Sequence, residues 1–515
     1  MRSPNKFTQG VVLFALAGYV SKLISFAYRV PYQNIAGDFG LYAYQTVYPF
    51  AAIVASLGIY AMPVVIAKIG VGAKGPQQKQ EILWGSFYAL FTLAAILVAL
   101  VWEMAPAIGS LLGDEQLAPA LRVISLSYLL MPALAVLRGS FQAVDDLRPS
   151  AWSQVLENLT RVTVMLTLLF IGVRMGKDAY ELSQYAYMAA LVGGVVAIVF
   201  LTYQTKSLRV VNVSWSTFRR VLRLLVTTGF AVGFASLGIL WMQLVDSFTI
   251  VNLMGGSYEA KVSKGVFDRG YPLVQFAILF TTTIGMASVP NLVRHFRAGH
   301  IQKTTQGLRS MIRVTTTVAA AATIGLMGVM LPLNISLFED ESGTQALILL
   351  ATSTFAASLA VVSMTCLQAI DREWVAARGM VLAIVVKSVM NGWLVPSYGI
   401  SGAAIGTSIA FLAMASFNFK SLDRSIPLGA FRFGHYKLLI KTLLPMIGIL
   451  VGLNWLGSRW IDSRIEAFGW LIGMVMIGAG VYIWRLVRTH VLTTGEWELI
   501  PFGSRLLDVL DKKEN

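Results

Sequence analysis

Cysteine and histidine are scarce in this sequence: the 515 residues include a single cysteine, Cys366, and four histidines. One thiol excludes an intrachain disulfide, a CxxC metal pair and a dithiol redox site. The histidines lie in basic segments, without acidic partners at metal-ligand spacing. P-loop, HExxH and GxSxG motifs are also missing from the sequence. We therefore expect no metal, no other cofactor and no catalytic site; the protein is predicted not to be an enzyme.

Charge is scarce as well, at 13% of residues, whereas hydrophobic residues make up 56%. Soluble proteins usually carry roughly twice that charged fraction. So apolar a chain requires lipid around it, and the bilayer is its first expected partner. The net charge of +15 could indicate nucleic-acid binding. However, the Lys and Arg residues form short clusters between apolar runs, which is typical of membrane topology, and we expect no nucleic-acid partner.

Long apolar runs recur along the whole chain, each long enough to cross a hydrocarbon core of ~30 Å as a helix. Helix is the expected spanning state because a bilayer offers no water to satisfy the backbone. The first run is too long for a signal-peptide core, so we expect it to be retained. The sequence predicts an all-α polytopic membrane protein with about fourteen transmembrane helices, at 7–30, 43–67, 82–102, 120–142, 150–173, 182–204, 221–253, 268–292, 310–333, 345–369, 375–395, 400–419, 438–457 and 467–487.

The loops between these segments alternate in charge, which predicts their orientation. Basic loops include 204–223, 294–313 and 420–441, whereas 103–118 and 339–341 carry acidic residues without Lys or Arg. Cytoplasmic loops retain positive charge, so both termini are predicted to be cytoplasmic. The weaker outer loops contain Arg174, Lys177, Lys261 and Lys264.

An internal repeat divides the chain. The word Phe141-Gln-Ala-Val-Asp145 recurs as Leu367-Gln-Ala-Ile-Asp371, and a Tyr-Pro pair at 48–49 recurs at 271–272. These offsets, all close to 225 residues, predict an N-lobe over 1–205, a C-lobe over 206–425, and two further helices with a cytoplasmic tail over 426–515. Two six-helix lobes with the same orientation normally pack around a central substrate cavity.

Charged residues inside the spans are the candidate functional residues, because such groups are costly in hydrocarbon. Lys22 and Arg29 share one face of the first helix, and Arg269 and Asp246 fall in the outer parts of later helices. We expect them to line one vestibule. The alternative is that Lys and Arg near helix ends extend to the headgroups. An excess of cations favours an anionic, phosphorylated substrate.

Further charges lie on other spans. Glu157 and Arg161 have i, i+4 spacing on the fifth predicted helix and can form a salt bridge. Lys387 occupies the repeat position equivalent to Arg161. Substrate contact is predicted for Arg161 and Lys387, with a structural salt bridge as the alternative. Arg122 and Arg138 are predicted to extend to the headgroups; Asp246, Glu157 and Asp268 are candidates for charge balance or for binding a coupling ion.

The stretch SKLISFAYRVPYQNIAG, residues 21–37, resembles the first helix of the MurJ and SpoVB branch of the multidrug/oligosaccharidyl-lipid/polysaccharide exporter superfamily. The resemblance covers nearly the whole chain, and its motifs lie at 21–37, 40–49, 141–161 and 267–272, with Pro290.

This resemblance implies a flippase that moves an undecaprenyl-pyrophosphate-linked precursor, first of all peptidoglycan lipid II, to the outer leaflet of the bacterial plasma membrane by alternating access. It implies cavity cations at Lys22 and Arg269, whereas Arg29 stands one position beyond a family Arg, where this chain has Tyr28. An acidic residue that follows this Arg in the family is absent here, which points to the Gram-positive branch and leaves the coupling mechanism open. The last two helices would hold the lipid tail.

Three alternatives stay open from the sequence. The cargo could be a teichoic acid or capsular precursor, which carries a similar phosphate handle. The same scaffold could serve a cation-coupled small-molecule or drug antiporter. A non-transporting scaffold would instead bind cell-wall synthesis enzymes through loops such as 204–223.

Overall fold

The structure is a computed structural model, and it is mostly α-helical in the part of the chain that it describes. The described residues are 13, 16–18, 20, 21, 23, 24, 27–205, 210–229, 233, 234, 237–426, 433–457, 459–500 and 503. The chain divides into two compact units, residues 1–268 and 269–515. The predicted lobe boundaries at 205/206 and 425/426 follow the repeat instead and stay a prediction.

The helices of the first unit are connected by short turns, several of which place proline in the first turn of the next helix, where its missing N–H costs nothing. Leu57–Ala61 continues the first helix as a π-turn, and a second π-turn at Leu225–Gly229 follows the eighth. The helices are α1 Arg29–Ser56, α2 Met62–Val71, α3 Pro76–Leu111, α4 Ala118–Ser125, α5 Met131–Gln142, α6 Arg148–Arg174, α7 Ala179–Gln204, α8 Trp215–Leu224, α9 Gly238–Leu253 and α10 Tyr258–Asp268.

The second unit also consists of helices. Ser463 and Glu466 form a capping box at the start of its penultimate helix, which satisfies the first N–H groups there. The helices are α11 Gly270–Arg297, α12 Ile301–Gly328, α13 Met330–Phe338, α14 Thr344–Ala351, α15 Ser353–Ala369, α16 Glu373–Asp423, α17 Phe433–Gly457, α18 Arg464–Arg488 and α19 Thr494–Trp497.

The prediction of an all-α polytopic membrane protein is confirmed. Within the described residues, 11 helices are long and apolar enough to cross a membrane. Two predicted spans, 375–395 and 400–419, fall in the single element α16, and the predicted span 221–253 includes the short helix α9. Half of the first predicted span, 7–30, lies outside the described residues. The total of fourteen crossings and the cytoplasmic position of the termini therefore stay predictions.

Two long helices contain sharp breaks at glycine. In α1 Gly37 has φ 70°, and in α16 Gly399 has φ 54°. Both values lie in the left-handed region that glycine adopts without a Cβ penalty. Gly399 thus separates the two predicted spans inside α16, and Gly37 separates the Arg29-bearing turns of α1 from the rest of the helix.

The repeated five-residue word has the same local structure in both places. Asp145 and Asp371 have φ values of 58° and 57°, just beyond the ends of α5 and α15. In each copy the next amide, that of Asp146 or Arg372, donates to the carbonyl five residues earlier, at 3.1 and 2.9 Å. This is the Schellman pattern that satisfies the last carbonyls of a helix. The sequence repeat therefore corresponds to a structural one at these two helix ends.

Candidate functional site

The candidate site in the first unit is built around a buried arginine. Arg29, in the first turn of α1, is only 4% exposed. Its Cζ atom lies 4.9 Å from the centre of the Tyr48 ring, and its Nε–H has no hydrogen-bond partner. Among the described residues, no carboxylate forms a salt bridge with Arg29. A buried cation without a carboxylate is costly, and such an arrangement is typical of a site that receives an anion.

A cluster of tyrosines adjoins this guanidinium: the rings of Tyr28 and Tyr48 contact it, and Tyr44 packs against both of these rings. The hydroxyls of Tyr28 and Tyr44 lie 2.8 Å apart, and the rings of Tyr44 and Tyr187 stack with centres 5.2 Å apart. The Tyr187 hydroxyl also donates to the backbone carbonyl of Tyr44. These contacts fix the aromatic rings, and the rings in turn hold Arg29 through cation–π contacts. The sequence analysis did not predict this cluster, although the presence of four tyrosines within residues 28–44 was a signal for it.

Arg161 joins the same cluster from α6. Its Cζ atom lies 5.8 Å from the centre of the Tyr28 ring, and that of Arg29 lies 6.0 Å from the same ring. Nη2 of Arg161 donates to Oδ1 of Asn158 at 2.7 Å. Two of the predicted substrate-binding residues are therefore brought to one aromatic ring. Their joint positive charge suits a ligand with more than one negative charge.

Acidic groups adjoin this cluster where α1, α9 and α10 meet. Nζ of Lys264 donates to both carboxylate oxygens of Asp268, at 2.7 and 2.6 Å, and both residues are buried. Asp246, on α9, is also fully buried. Lys264 was assigned to an outer loop by the sequence, but its i, i+4 spacing with Asp268 was a signal for this pair.

Glu157, a second charge-balance candidate, has a partner on another helix. Its Oε2 atom accepts from Nη2 of Arg138 at 2.6 Å, and Nε of Arg138 donates to Oγ of Ser153 at 3.0 Å. The Arg138 side chain is 0% exposed. The prediction that Arg138 extends to the headgroups is therefore wrong, because α6 supplies polar partners that hold it inside the bundle.

Lysines of the weaker outer loops are also paired. Lys261 lies 2.8 Å from Oδ2 of Asp114, and Lys177 lies 2.9 Å from Oε1 of Glu181. The Glu181 carboxylate raises the pKa of Lys177 through a hydrogen bond and its charge. Asp114 additionally accepts from the hydroxyls of Tyr42 and Tyr180, at 3.1 and 2.7 Å. These pairs neutralise loop cations that weakened the charge alternation in the sequence.

In the second unit, Arg269 is held by a bidentate ion pair. Its Nη1 and Nη2 atoms each lie 2.9 Å from an oxygen of Asp340, and Nη1 also donates to Oδ1 of Asn334 at 3.2 Å. Burial alone would raise the pKa of Asp340, but the hydrogen bonds and charge of Arg269 outweigh it and leave that pKa below its ordinary value. Arg269, predicted to bind substrate, thus has a carboxylate partner in this structure.

Lys387 likewise has acceptors within its own unit. Its Nζ atom donates to the Ala403 carbonyl and to Oγ1 of Thr407, both at 2.7 Å, and the residue is fully buried. These acceptors lie beyond Gly399, so Lys387 links the two halves of α16. Lys22, the remaining predicted contact, lies outside the described residues. In the part of the chain that the structure describes, no group of three His, Cys, Asp or Glu side chains could hold a metal ion.

The fold defines the class of protein. The structure matches that of the lipid II flippase MurJ in an inward closed conformation, with a TM-score of 0.74 at 16% identity, over 93% of this chain and 99% of that chain. It also matches an inward-facing multidrug resistance MATE family transporter of the MOP superfamily, with a TM-score of 0.64 at 17% identity, over 79% and 94% of the two chains. The chain thus has the fold of a multi-pass membrane transporter.

Sequence comparison gives the family. The model described as polysaccharide biosynthesis protein matches residues 7–296. The uncharacterized membrane protein YabM of Bacillus subtilis (strain 168) is 32% identical over 517 residues, covering 98% of this chain and 97% of YabM. The lipid II flippase MurJ of the same organism is 19% identical over 521 residues, covering 93% and 95%. The chain therefore belongs to the polysaccharide biosynthesis protein family, and its relatives include proteins named as the lipid II flippase MurJ and as stage V sporulation protein B of Bacillus subtilis (strain 168).

This membership confirms the family predicted from the sequence. It also agrees with the prediction that the protein is not an enzyme, since these relatives are named as a membrane protein, a flippase and a transporter.

Proposed function

We propose that this chain is a flippase that carries an undecaprenyl-pyrophosphate-linked cell-envelope precursor, with peptidoglycan lipid II as the first cargo to test, from the inner to the outer leaflet by alternating access. The observation that carries the proposal is Arg29, a buried guanidinium without a carboxylate partner among the described residues. A diphosphate offers the multiple acceptor oxygens that a guanidinium binds well. Names of two relatives, a lipid II flippase and a probable low-salt glycan biosynthesis flippase, support this substrate class.

In this proposal Arg29 and Arg161 contact the diphosphate from two different helices. Arg29 comes from α1 and Arg161 from α6, and both contact the Tyr28 ring. The tyrosine rings orient the Arg29 guanidinium without neutralising it, whereas a carboxylate would compete with the substrate. Lys22 and Arg269 remain proposed contacts from the sequence resemblance. To bind the substrate, Arg269 would first have to break its ion pair with Asp340.

Charge balance in the proposal comes from acidic groups next to the cluster. Asp246, Glu157 and Asp268 are the proposed groups for charge balance or for a coupling ion; in this structure Asp268 pairs with Lys264, and Glu157 pairs with Arg138. Asp246 is fully buried on α9.

The proposal is tested by flipping in proteoliposomes. A fluorescent undecaprenyl-pyrophosphate sugar is reconstituted with the full chain, and a membrane-impermeant reductant reports how much of it crosses the bilayer. Arg29→Ala should lower the rate at least tenfold, and Arg29→Lys should retain part of it, because a point charge still attracts phosphate. Arg148→Ala is the matched control, because Arg148 is exposed and pairs only locally with Asp146.

Equal rates for the wild type, Arg29→Ala and Arg148→Ala would overturn the assignment of Arg29. To distinguish the flippase from the antiporter alternative, the lipid cargo is replaced by organic cations. The antiporter alternative predicts ion-dependent uptake of organic cations and no flipping of the lipid, whereas a scaffold predicts neither activity. Teichoic and capsular precursors are compared with lipid II in the same vesicles.

A further inference from the structure

Helix α8 is a short amphipathic element whose position is fixed on α3. Ser214 caps its N-terminus by accepting from the Thr217 amide at 3.3 Å. Glu81, on α3, accepts from the amide and hydroxyl of Ser214, at 2.9 and 2.5 Å. Val221 is buried against the apolar cluster that includes Ile82. The helix is therefore held at both its cap and its apolar face.

The opposite face of α8 combines arginine with an exposed indole. Trp215 is 68% exposed, and the Cζ atom of Arg219 lies 5.7 Å from its ring centre. Arg219, Arg220 and Arg223 are all exposed. Among the described residues, none of these three arginines has a carboxylate within salt-bridge distance. This face presents three uncompensated guanidiniums beside one large aromatic ring.

An open apolar cavity of about 340 Å³ lies next to this face, between α3 and the segment that leads into α8. Its walls are mostly valine and aromatic side chains, of which Tyr88 is 41% and Val210 74% exposed. The lining residues are Tyr88, Val210, Val211, Asn212, Val213, Trp215 and Phe218. The cavity thus offers an apolar surface at the edge of a cationic patch.

We propose that α8 and this cavity form a binding surface for an anionic membrane phospholipid, independent of the transport site. The phosphate would lie against Arg219, Arg220 and Arg223, and part of an acyl chain would occupy the cavity. Tryptophan and tyrosine are suited to the headgroup level because each has an apolar ring and a polar tip. Arginines on an amphipathic helix are attracted to anionic headgroups. The predicted cytoplasmic position of 204–223 would place this surface at a leaflet that carries anionic lipid.

The surface is tested with brominated lipids in nanodiscs that contain the full chain. Bromine quenches the fluorescence of nearby tryptophan. The difference in fluorescence between the wild type and Trp215→Phe gives the contribution of Trp215, one of 12 tryptophans. Brominated phosphatidylglycerol should quench Trp215 at much lower mole fraction than brominated phosphatidylcholine. Arg219→Gln/Arg220→Gln/Arg223→Gln should reduce this preference by roughly fivefold for each charge removed.

A variant with the same loss of charge elsewhere is the control: Arg294→Gln/Lys303→Gln/Lys437→Gln removes three exposed cations from the second unit. It should leave the Trp215 preference unchanged. The triple lysine variant of the α8 arginines should also keep most of the preference, which guards against a folding defect in the glutamine variant. An unchanged preference in the glutamine variant, or an equal loss in the control, would overturn the proposal. Displacement of the brominated lipid by inorganic phosphate or by a soluble protein partner would also overturn it.

Discussion

The pair Arg138–Glu157 gives a prediction about which buried charges are structural. Arg138 is 0% exposed and Glu157 is 16% exposed, with 2.6 Å between Nη2 and Oε2. Removing one partner of a buried pair costs about 3–5 kcal/mol, because the other charge stays buried without compensation. Glu157→Gln keeps an acceptor for Arg138, and a neutral hydrogen bond returns about 1 kcal/mol. We therefore expect Glu157→Gln to lower the free energy of unfolding by about 2–4 kcal/mol.

The assay is equilibrium unfolding of the full chain in detergent, with the exposed pair Lys177–Glu181 as its control. Glu181→Gln should cost less than about 1 kcal/mol, because both side chains are well exposed, at 42% and 31%. The double variant Arg138→Met/Glu157→Leu should recover most of the lost stability, since apolar side chains of similar size replace the pair. Equal losses for Glu157→Gln and Glu181→Gln would refute this reasoning. A Glu157→Gln protein of normal stability whose transport has a changed ion dependence would instead assign Glu157 to coupling.

Three further predictions concern the stability of variants at Asp340, Asp114 and Gly265. The Arg269 guanidinium holds the pKa of Asp340 below its ordinary value. This contact therefore stabilises the fold at pH values above the unfolded-state pKa of about 3.9, and the stabilisation is lost as the pH falls through the lower folded-state pKa. The free energy of unfolding of Asp340→Asn should lack this acid-dependent component. Asp114→Ala should lower the free energy of unfolding by about 2–4 kcal/mol, because it removes the acceptor of two hydroxyls and a lysine, and an unchanged midpoint would contradict this. Gly265→Ala should cost about 1–3 kcal/mol, because its Cβ would overlap a backbone carbonyl of α1, whereas Gly448→Ala meets open space and should stabilise by about 1 kcal/mol; equal melting temperatures for the two variants would contradict this account.

The helical membrane architecture was predictable because apolar length alone determines it. Where few polar residues separate two apolar segments, the sequence did not determine the number of helices. Gly399 separates two predicted spans through its backbone conformation within a continuous apolar run, and α9 is shorter than the span predicted over 221–253. The repeat was predictable because the same five-residue word occurs at two equivalent helix ends, where Asp145 and Asp371 have the same backbone conformation.

The partners of the buried charges were much less predictable than the charges themselves. Spacing along one helix suggests neighbours such as Lys264 and Asp268. However, Arg138 and Glu157 lie on different helices, and Arg269 reaches Asp340 across 71 positions of the sequence. Such contacts depend on helix packing, which apolar patterns leave open. For the same reason, the sequence did not predict that Arg29 has no carboxylate partner among the residues that the structure describes.

The most direct test of the account is whether Arg29 recognises a diphosphate. Native mass spectrometry of the full chain would compare binding of undecaprenyl pyrophosphate with that of undecaprenol, which has the same chain and no phosphate. The account predicts a strong preference for the pyrophosphate in the wild-type chain and in Arg148→Ala, and its loss in Arg29→Ala. Equal binding of the two lipids by the wild-type chain, or an undiminished preference in Arg29→Ala, would contradict it.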